Sequence, residues 1–497
     1  MVISSIGGLL GFVALYFIAN YMPKESFGIV AFALSFTTMF GIVKKLGFES
    51  AHIKRVSEGQ DLGECIGTFI ILKIILTVVY IAVVLGSIYI WTVVMGRGFE
   101  SNENLIAIYI MVIYAIITSF TEIMKQTFMA RKEIAIHQVS IFLGTVMRVV
   151  ATIIVALSGK GTIELAFTYI IAETATLIVA GIFFSRFPIK RPTKDMFKKY
   201  SKFALPVVII SSITLIIANI DKVFIQLFWG AEEVADYFAV YKIVTFLIVI
   251  EASVGQLLFP TYSELHAKKD KEQIKRLVVK SERYLSMTSI PIVFFMIALP
   301  YPIINILLDP KYETAVPVLQ ILPIWALLNI ITRSYGPLLL GMDRPWLATL
   351  SSVVMVGMNV GLNLILIPID IKFLGISGFG LGAAGAAIAT VCTAVFGFIY
   401  ARAMAWYLLK LKWKPTFMIK HVMAASVMVI ALLYLSSIFE IVRWYQLVVI
   451  FLIAMGIYFG ILFAIREFKK EDYNFFLDTL NPKKMISYIS DEVKGKK

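Results

Sequence analysis

The chain has 497 residues, of which 59% are hydrophobic and only 16% charged, with a formal net charge of +14. Soluble domains run at about 45–50% apolar and about 25% charged residues, so a water-soluble globular fold is excluded. Runs of about 20 apolar residues, each enough for a helix to cross about 30 Å of hydrocarbon, recur along the whole chain, whereas a membrane β-barrel would show alternating segments of about ten.

Taken in chain order, the pattern predicts fourteen transmembrane helices: 2–21, 27–43, 65–94, 104–123, 134–157, 163–184, 203–228, 235–258, 284–308, 314–339, 345–369, 379–401, 419–438 and 444–464. The third is long enough to tilt or to extend beyond the bilayer. The first apolar run is of spanning length and no small-residue cleavage site follows it, so no cleavable signal peptide is expected. No basic residues precede that run, which leaves a misassigned start at Met1 open. Cys65, Cys392 and the four histidines His52, His137, His266 and His421 are scattered without metal-ligand spacing, so no metal site is expected.

The connections alternate in charge. One side carries Lys44, Lys45, Lys54 and Arg55, then Lys125, Arg131 and Lys132, then seven basic residues in 186–202 and seven more in 266–283. That side totals 35 of the 46 lysines and arginines, the other side 6, and the spans themselves 5. Basic loops stay cytoplasmic, so both termini are expected in the cytoplasm of a multi-pass cell-membrane protein. The positive charge therefore follows topology and calls for no nucleic-acid partner. The same loops can meet anionic lipid headgroups of the bilayer.

A shift of 208 residues lays Glu25–Gly47 on Glu233–Gly255 without a gap, with identities at Glu25/Glu233, Ala31/Ala239, Thr37/Thr245, Ile42/Ile250 and Gly47/Gly255. Six spans separate the copies, so the halves share one orientation, the parallel-repeat arrangement of alternating-access transporters. The expected fold is an all-α polytopic membrane protein with two pseudo-symmetric six-helix bundles and a C-terminal helix pair. Its parts are a first bundle at 1–185, a basic linker at 186–202, a second bundle at 203–403, an extra pair at 404–464 and a tail at 465–497. An amphipathic helix at about 264–281 is expected on the cytoplasmic face, with Ile274, Leu277, Val278 and Tyr284 at helical spacing among charges.

Four stretches then carry a resemblance: NIDKVFIQLFWGAEEVADYFAVYKI, LLFPTYSELHAKKDKEQIKRL, GMNVGLNLILIPIDIKFLGISGFGLGAAGAAIAT and LGFESAHIKRVSEG. Together they resemble the polysaccharide-transporter branch of the multidrug/oligosaccharidyl-lipid/polysaccharide exporter superfamily, the O-antigen and lipid-linked-oligosaccharide flippases. The resemblance implies a V-shaped pair of bundles around a central cavity. It also implies translocation of a polyprenyl-phosphate- or diphosphate-linked glycan from the cytoplasmic to the outer leaflet.

Charges inside spans usually face a bundle interior or a wet cavity. The cations are Lys73, Arg148, Lys222, Lys242 and Arg333, and the acids include Glu173, Asp221 and Glu251. Lining one cavity, the five cations would form a ladder for an anionic headgroup, since phosphates take charge-assisted hydrogen bonds. Asn219, Tyr237 and Tyr241 are candidates for the polar and aromatic wall that a glycan needs. Arg148 and Glu173 sit at similar depth on neighbouring spans, so an ion pair between them is expected. Asp221 and Lys222 point about 100° apart on a helix, so each needs its own partner. Asp221 is expected to brace the hairpin to the next span, and Lys222 to reach the outer rim. Glu173, Asp221 and Glu251 serve either ion coupling, to H+ or Na+, or structure. Asn359 and Asn363, four apart on one face, serve either helix packing or substrate contact.

No G-x-x-x-x-G-K-[ST] loop is present, so no ATP hydrolysis and no cofactor are expected. A glycosyltransferase or glycan polymerase would need a large extramembrane domain, and the longest connections have about 25 residues. Within the superfamily, a lipid-linked peptidoglycan-precursor flippase and a cation-coupled drug or small-molecule antiporter are the alternatives. The extra helix pair speaks against the antiporter.

Overall fold

The computed structural model describes residues 2–468 and Asp472, apart from 95, 97, 343, 372–375 and 413–414. Side chains are described for these residues except at 2–5, 205–214, 249–257, 259–260, 340–341, 345, 371 and 376.

The first half begins with α1 (Val2–Tyr21) and α2 (Lys24–Met39). Two short helices follow, α3 (Ile42–Lys45) and α4 (Phe48–Ser57), then α5 (Leu62–Tyr89), α6 (Asn102–Ala130), α7 (Ile134–Leu157) and α8 (Thr162–Phe184). The second half has α9 (Lys194–Phe228), α10 (Ala231–Ala267), α11 (Lys271–Ala298), α12 (Pro300–Leu307), α13 (Val316–Thr332), α14 (Gly336–Gly341), α15 (Pro345–Leu366) and α16 (Gly382–Leu409). The last pair is α17 (Thr416–Ile438) and α18 (Trp444–Ala464). A two-residue antiparallel ladder pairs Asp370–Ile371 with Ile376–Ser377 in the loop before α16.

Among the described residues nine helices are long and apolar enough to cross a membrane, and two bent pairs raise this to eleven. The pairs are α2 with α3–α4, bent by 43°, and α11 with α12, bent by 84°. The long helices α1, α9 and α10, of 20, 35 and 37 residues, coincide with the other three expected spans. The protein is thus an all-helical, multi-pass membrane protein.

Local chemistry sets the helix ends. Asp61, Thr193 and Asp270 accept the backbone N–H groups of Glu64, Met196 and Gln273 at 2.9, 3.2 and 2.9 Å, capping α5, α9 and α11 on the basic face. Pro300 opens α12 at the sharp bend, a position where a missing N–H costs nothing. Pro291 and Pro323 sit inside α11 and α13, Pro337 starts α14 after a break, and Pro206 lies on α9. The third span continues from α5 into a π-helical turn at Ile90–Val94, 33 residues in all. At 1.5 Å per residue that is about 50 Å, more than a bilayer core requires.

In the first half α7 packs on α1 and α8, and α6 on α8 and α2. In the second, α13 packs on α11 and α16, and α15 on α16 and α9. The C-terminal pair packs on itself and on α11 and α12. The seam between halves runs along α2, which touches both α9 and α10. There Gly28 allows the closest approach, because a Cβ would stand 1.8 Å from the Ala231 carbonyl oxygen. On the basic face α4 docks α9 to the first half. His52 stacks on Phe69 at 4.3 Å and hydrogen-bonds Tyr200 and Thr127, each at 2.9 Å.

Two expected boundaries differ. The stretch 264–281 is no separate amphipathic helix; it is the end of α10, a turn at 268–270 and the start of α11. Ile274 and Val278 are buried beside Tyr262 and Leu265 of α10, so the apolar face meets protein and not the membrane surface. The basic linker is also half helical, since α9 begins at Lys194.

Candidate functional site

Asp221 is a junction of four helices. From α9, its carboxylate accepts Tyr237 Oη of α10, Asn363 Nδ2 of α15 and Thr390 Oγ1 of α16, all at 2.7 Å. Asn363 also donates to Asn359 at 3.2 Å, and Asn359 reaches Thr390 at 3.5 Å. All five side chains are buried. A buried carboxylate is tolerated when its lone pairs are this fully used. The expected brace from Asp221 to the next span is present and extends to two further helices. The asparagines of GMNVGLN bond within this junction, and Tyr237, expected on a cavity wall, is fully buried with its hydroxyl on Asp221.

Lys222 points the other way. It is 2% exposed, donates to the Ala218 carbonyl and lies 4.4 Å from the centre of the Tyr241 ring. Tyr241 in turn stacks on Trp325 at 5.5 Å. Lys222 therefore occupies an aromatic cage and reaches neither rim nor cavity. Asn219 donates to its own helix, to the Leu215 carbonyl.

The cavity lies on the seam between α1, α2, α7, α8 and α10, with about 220 Å³ of room for water. Its cations are Arg148 from α7 and Lys242 from α10. Lys242 is exposed there, 4.9 Å from the Phe238 ring centre; Arg148 lies 5.3 Å from that of Tyr169. The α1 wall is thin, with Gly7, Gly8 and Gly11 along it, and Phe12 closes against Phe246 of α10 at 5.0 Å.

Arg148 and Tyr169 also line a second cleft, with Lys125, Glu173 and Tyr114. Tyr114 in turn lines a third, with Lys44, Lys45, Lys73, Glu49 and Glu122. Neighbouring recesses share these residues, so the three lie in a row from the seam to the first basic connection.

The expected Arg148–Glu173 pair is not what forms. Glu173 meets Lys125 at 3.5 Å, and Lys125 also holds Glu122 at 2.9 Å. The reason is that α6 runs to Ala130, past the expected end at 123, so Lys125 lies inside the bundle rather than in a loop. Lys73 is buried against Glu49 at 2.8 Å and belongs to the third recess. Arg333 follows α13 and lines none of the three recesses. Glu251 lies on α10, and its side chain falls outside those described. The structure thus brings Arg148 and Lys242 together and leaves Lys222 and Arg333 elsewhere. Sequence reasoning missed Lys44, Lys45 and Lys125 as residues lining these recesses. Their one signal is that each sits within a few residues of an apolar span.

The family model for polysaccharide biosynthesis proteins matches residues 1–266, and that for MatE matches residues 206–365. An uncharacterised membrane protein of Methanocaldococcus jannaschii is 35% identical over 40% of this chain, a match spanning only 36% of that protein's own length. A probable low-salt glycan biosynthesis flippase, Agl15 of Haloferax volcanii, is 23% identical over 77% of both chains. Among solved structures, the lipid II flippase MurJ in an inward closed conformation superposes with a TM-score of 0.73 at 13% identity, covering 94% of this chain and 98% of that one. That likeness shows a shared fold. With more than half of its length matched, the chain belongs to the polysaccharide biosynthesis protein family, within the multidrug/oligosaccharidyl-lipid/polysaccharide exporter superfamily.

Proposed function

We propose that this protein is a flippase that moves a polyprenyl-phosphate- or diphosphate-linked oligosaccharide from the cytoplasmic to the outer leaflet of the cell membrane. The observation that carries this reading is the cavity on the seam, where Lys242 and Arg148 come from opposite bundles. A headgroup phosphate bound between them touches both halves at once, so its binding energy depends on how the halves are disposed. That is the differential contact alternating access requires. The Haloferax relative supports a glycan as cargo. Both termini face the cytoplasm in this reading, because the basic connections gather on their side.

The bundles are 1–185 and 203–403, joined by the linker 186–202 and followed by the pair 404–464. Coupling to H+ or Na+ acts through Glu173, which lines a recess beside Arg148 and Lys125, whereas Asp221 is spent on its brace. The test is reconstitution into proteoliposomes with defined lipid-linked oligosaccharides, reading outer-leaflet exposure with and without imposed ion gradients. Acceleration of at least one substrate is expected. No acceleration of any would end the flippase reading, and gradient-independent rates would end the coupling.

A further inference from the structure

On the basic face, away from the seam, a groove runs between the start of α11, the end of α16 and the start of α17. Seven cations line it: Lys275, Arg276, Lys280 and Arg283 from α11, Arg402 from α16, and Lys410 and Lys412 just after it. Among the described residues two carboxylates do, Glu282 and Asp472.

The charges divide by depth. At the floor they are neutralised: Arg402 holds Glu282 at 3.0 Å, and Arg283 holds Asp472 at 2.7 Å and Glu467 at 2.8 Å. Lys275 holds Glu272 at 2.6 Å. Arg276, Lys280, Lys410 and Lys412 are exposed at the rim and make no ion pair with a described residue. The net positive potential therefore sits at the mouth.

The mouth also has a depth in the membrane. Trp406 and Tyr407, 55% and 62% exposed, stand within one turn of Lys410, whose ammonium lies 4.8 Å from the Trp406 ring centre. Exposed tryptophan and tyrosine beside lysine mark the headgroup level of a bilayer. Below them α16 and α17 present exposed Ile399, Ile419, Val422 and Met423, an apolar surface suited to acyl chains.

We propose that this groove is a binding site for an anionic phospholipid, its phosphate held by Arg276, Lys280, Lys410 and Lys412. Arginine and lysine together supply a fork and point charges for a phosphodiester. The aromatic pair and apolar flank favour a lipid over a soluble phosphate, which gains nothing from either. The site is independent of the seam cavity and of what is transported.

The test uses the purified full-length protein in neutral detergent, titrated with phosphatidylglycerol or phosphatidylcholine and read by native mass spectrometry. One strong phosphatidylglycerol site is expected, with little phosphatidylcholine bound. The double variant R276A/K280A, and separately K410A/K412A, should weaken it about thirtyfold, the effect of two basic residues at a membrane surface. K194A/K198A removes the same charge from α9 on the same face and should leave binding within about twofold. The charge-preserving R276K/K280R should retain most of the binding. An equal loss in K194A/K198A would reduce the site to general electrostatics. Undiminished binding in both groove variants, or displacement by inorganic phosphate at the concentration at which the lipid binds, would overturn the proposal.

Discussion

Replacing Asp221 separates bracing from transport. Its carboxylate takes three hydrogen bonds of 2.7 Å from three other helices and is 4% exposed. Bonds to a charged group are worth about 1.5–3 kcal/mol each, but interhelical bonds in membranes average about 0.6 kcal/mol in double-mutant cycles. The deciding term is what is left behind. Asp221→Ala strands the Tyr237 hydroxyl, one Asn363 proton and the Thr390 hydroxyl in a buried site, and deprives Lys222 of its neighbouring anion. A loss of about 3–5 kcal/mol is expected, as for a buried charge network broken on one side. Asp221→Asn keeps the shape and one strong acceptor. The Tyr237 and Thr390 hydroxyls can rotate to accept from the new amide, so the loss is about 1–2 kcal/mol. Reversible unfolding in mixed micelles measures both. A cycle with Asn363→Ala should give a coupling of about 1–2 kcal/mol. Flipping per folded molecule should change less than about threefold in Asp221→Asn, since a brace works without its charge cycling. Alanine and asparagine variants of equal stability would refute the hydrogen-bond account. A tenfold or larger loss of flipping in a stable Asp221→Asn would make Asp221 a working acid instead.

Arg148→Ala and Lys242→Ala should each slow flipping about 10–100-fold while leaving thermal stability nearly unchanged, because both side chains face the cavity; intact flipping in either variant removes that residue from the path. Across the seam, Lys24 holds Asp236 at 2.8 Å, and Thr314 bonds both at 2.7 Å. Lys24→Ala should expose a cysteine placed at Val30 to impermeant maleimide from that face at least about fivefold faster, with the exchange K24D/D236K restoring the slow rate. Glu467 lies beyond the last span. Burial raises its pKa, but Arg283 and Lys420 outweigh this and hold it below its ordinary 4.5. A carboxylate with a depressed folded value stabilises above its unfolded value and is lost as pH falls through the folded one. The contact between the segment after α18 and α11 should therefore loosen below pH 4.5, seen as falling anisotropy of a probe on I465C; a flat signal down to pH 3 would refute it.

Most of the expected spans were legible because hydropathy reports directly what lipid requires. The junction at Asp221 was half legible. An acid in an oily helix must find donors, and the next span was the nearest source, but Asn363 and Thr390 lie 142 and 169 residues away. The cation ladder was legible as a list and not as a place. Lys222, Lys242 and Arg148 are equivalent in sequence, yet one sits in an aromatic cage and two face the cavity. Rotation about the helix axis decides this, and it is set by neighbours that a single chain does not name. Lys125 was misplaced for a simpler reason. Hydropathy ends a span at the first cluster of polar residues, but α6 continues because Glu122 and Glu173 neutralise Lys125 within the bundle.

The contacts across the seam gather at two places. On the basic face those linking the halves run from α4 to the first turns of α9: His52 to Tyr200, Arg55 to the Lys199 carbonyl, and Lys54 over the Phe203 ring. That end of α9 is therefore held by the first half. On the opposite face the second half is fastened to the first. Lys24 meets Asp236 and Thr314, and Lys311 reaches the Met22 carbonyl at 2.9 Å. Glu100 accepts both Gln226 Nε2 and the Ala231 backbone N–H at 3.0 Å, beside Gly230 at φ 96°, where a side chain would collide with that carboxylate. Parting the halves on that face must break these contacts, and each holds the halves together only while its partner is in reach. In the proposed reading, a headgroup held by Arg148 of α7 and Lys242 of α10 bridges the same seam from within. The Lys24–Asp236 pair joins α2 to α10, the two helices the internal repeat relates to each other, and Lys242 of the cavity stands on the same α10.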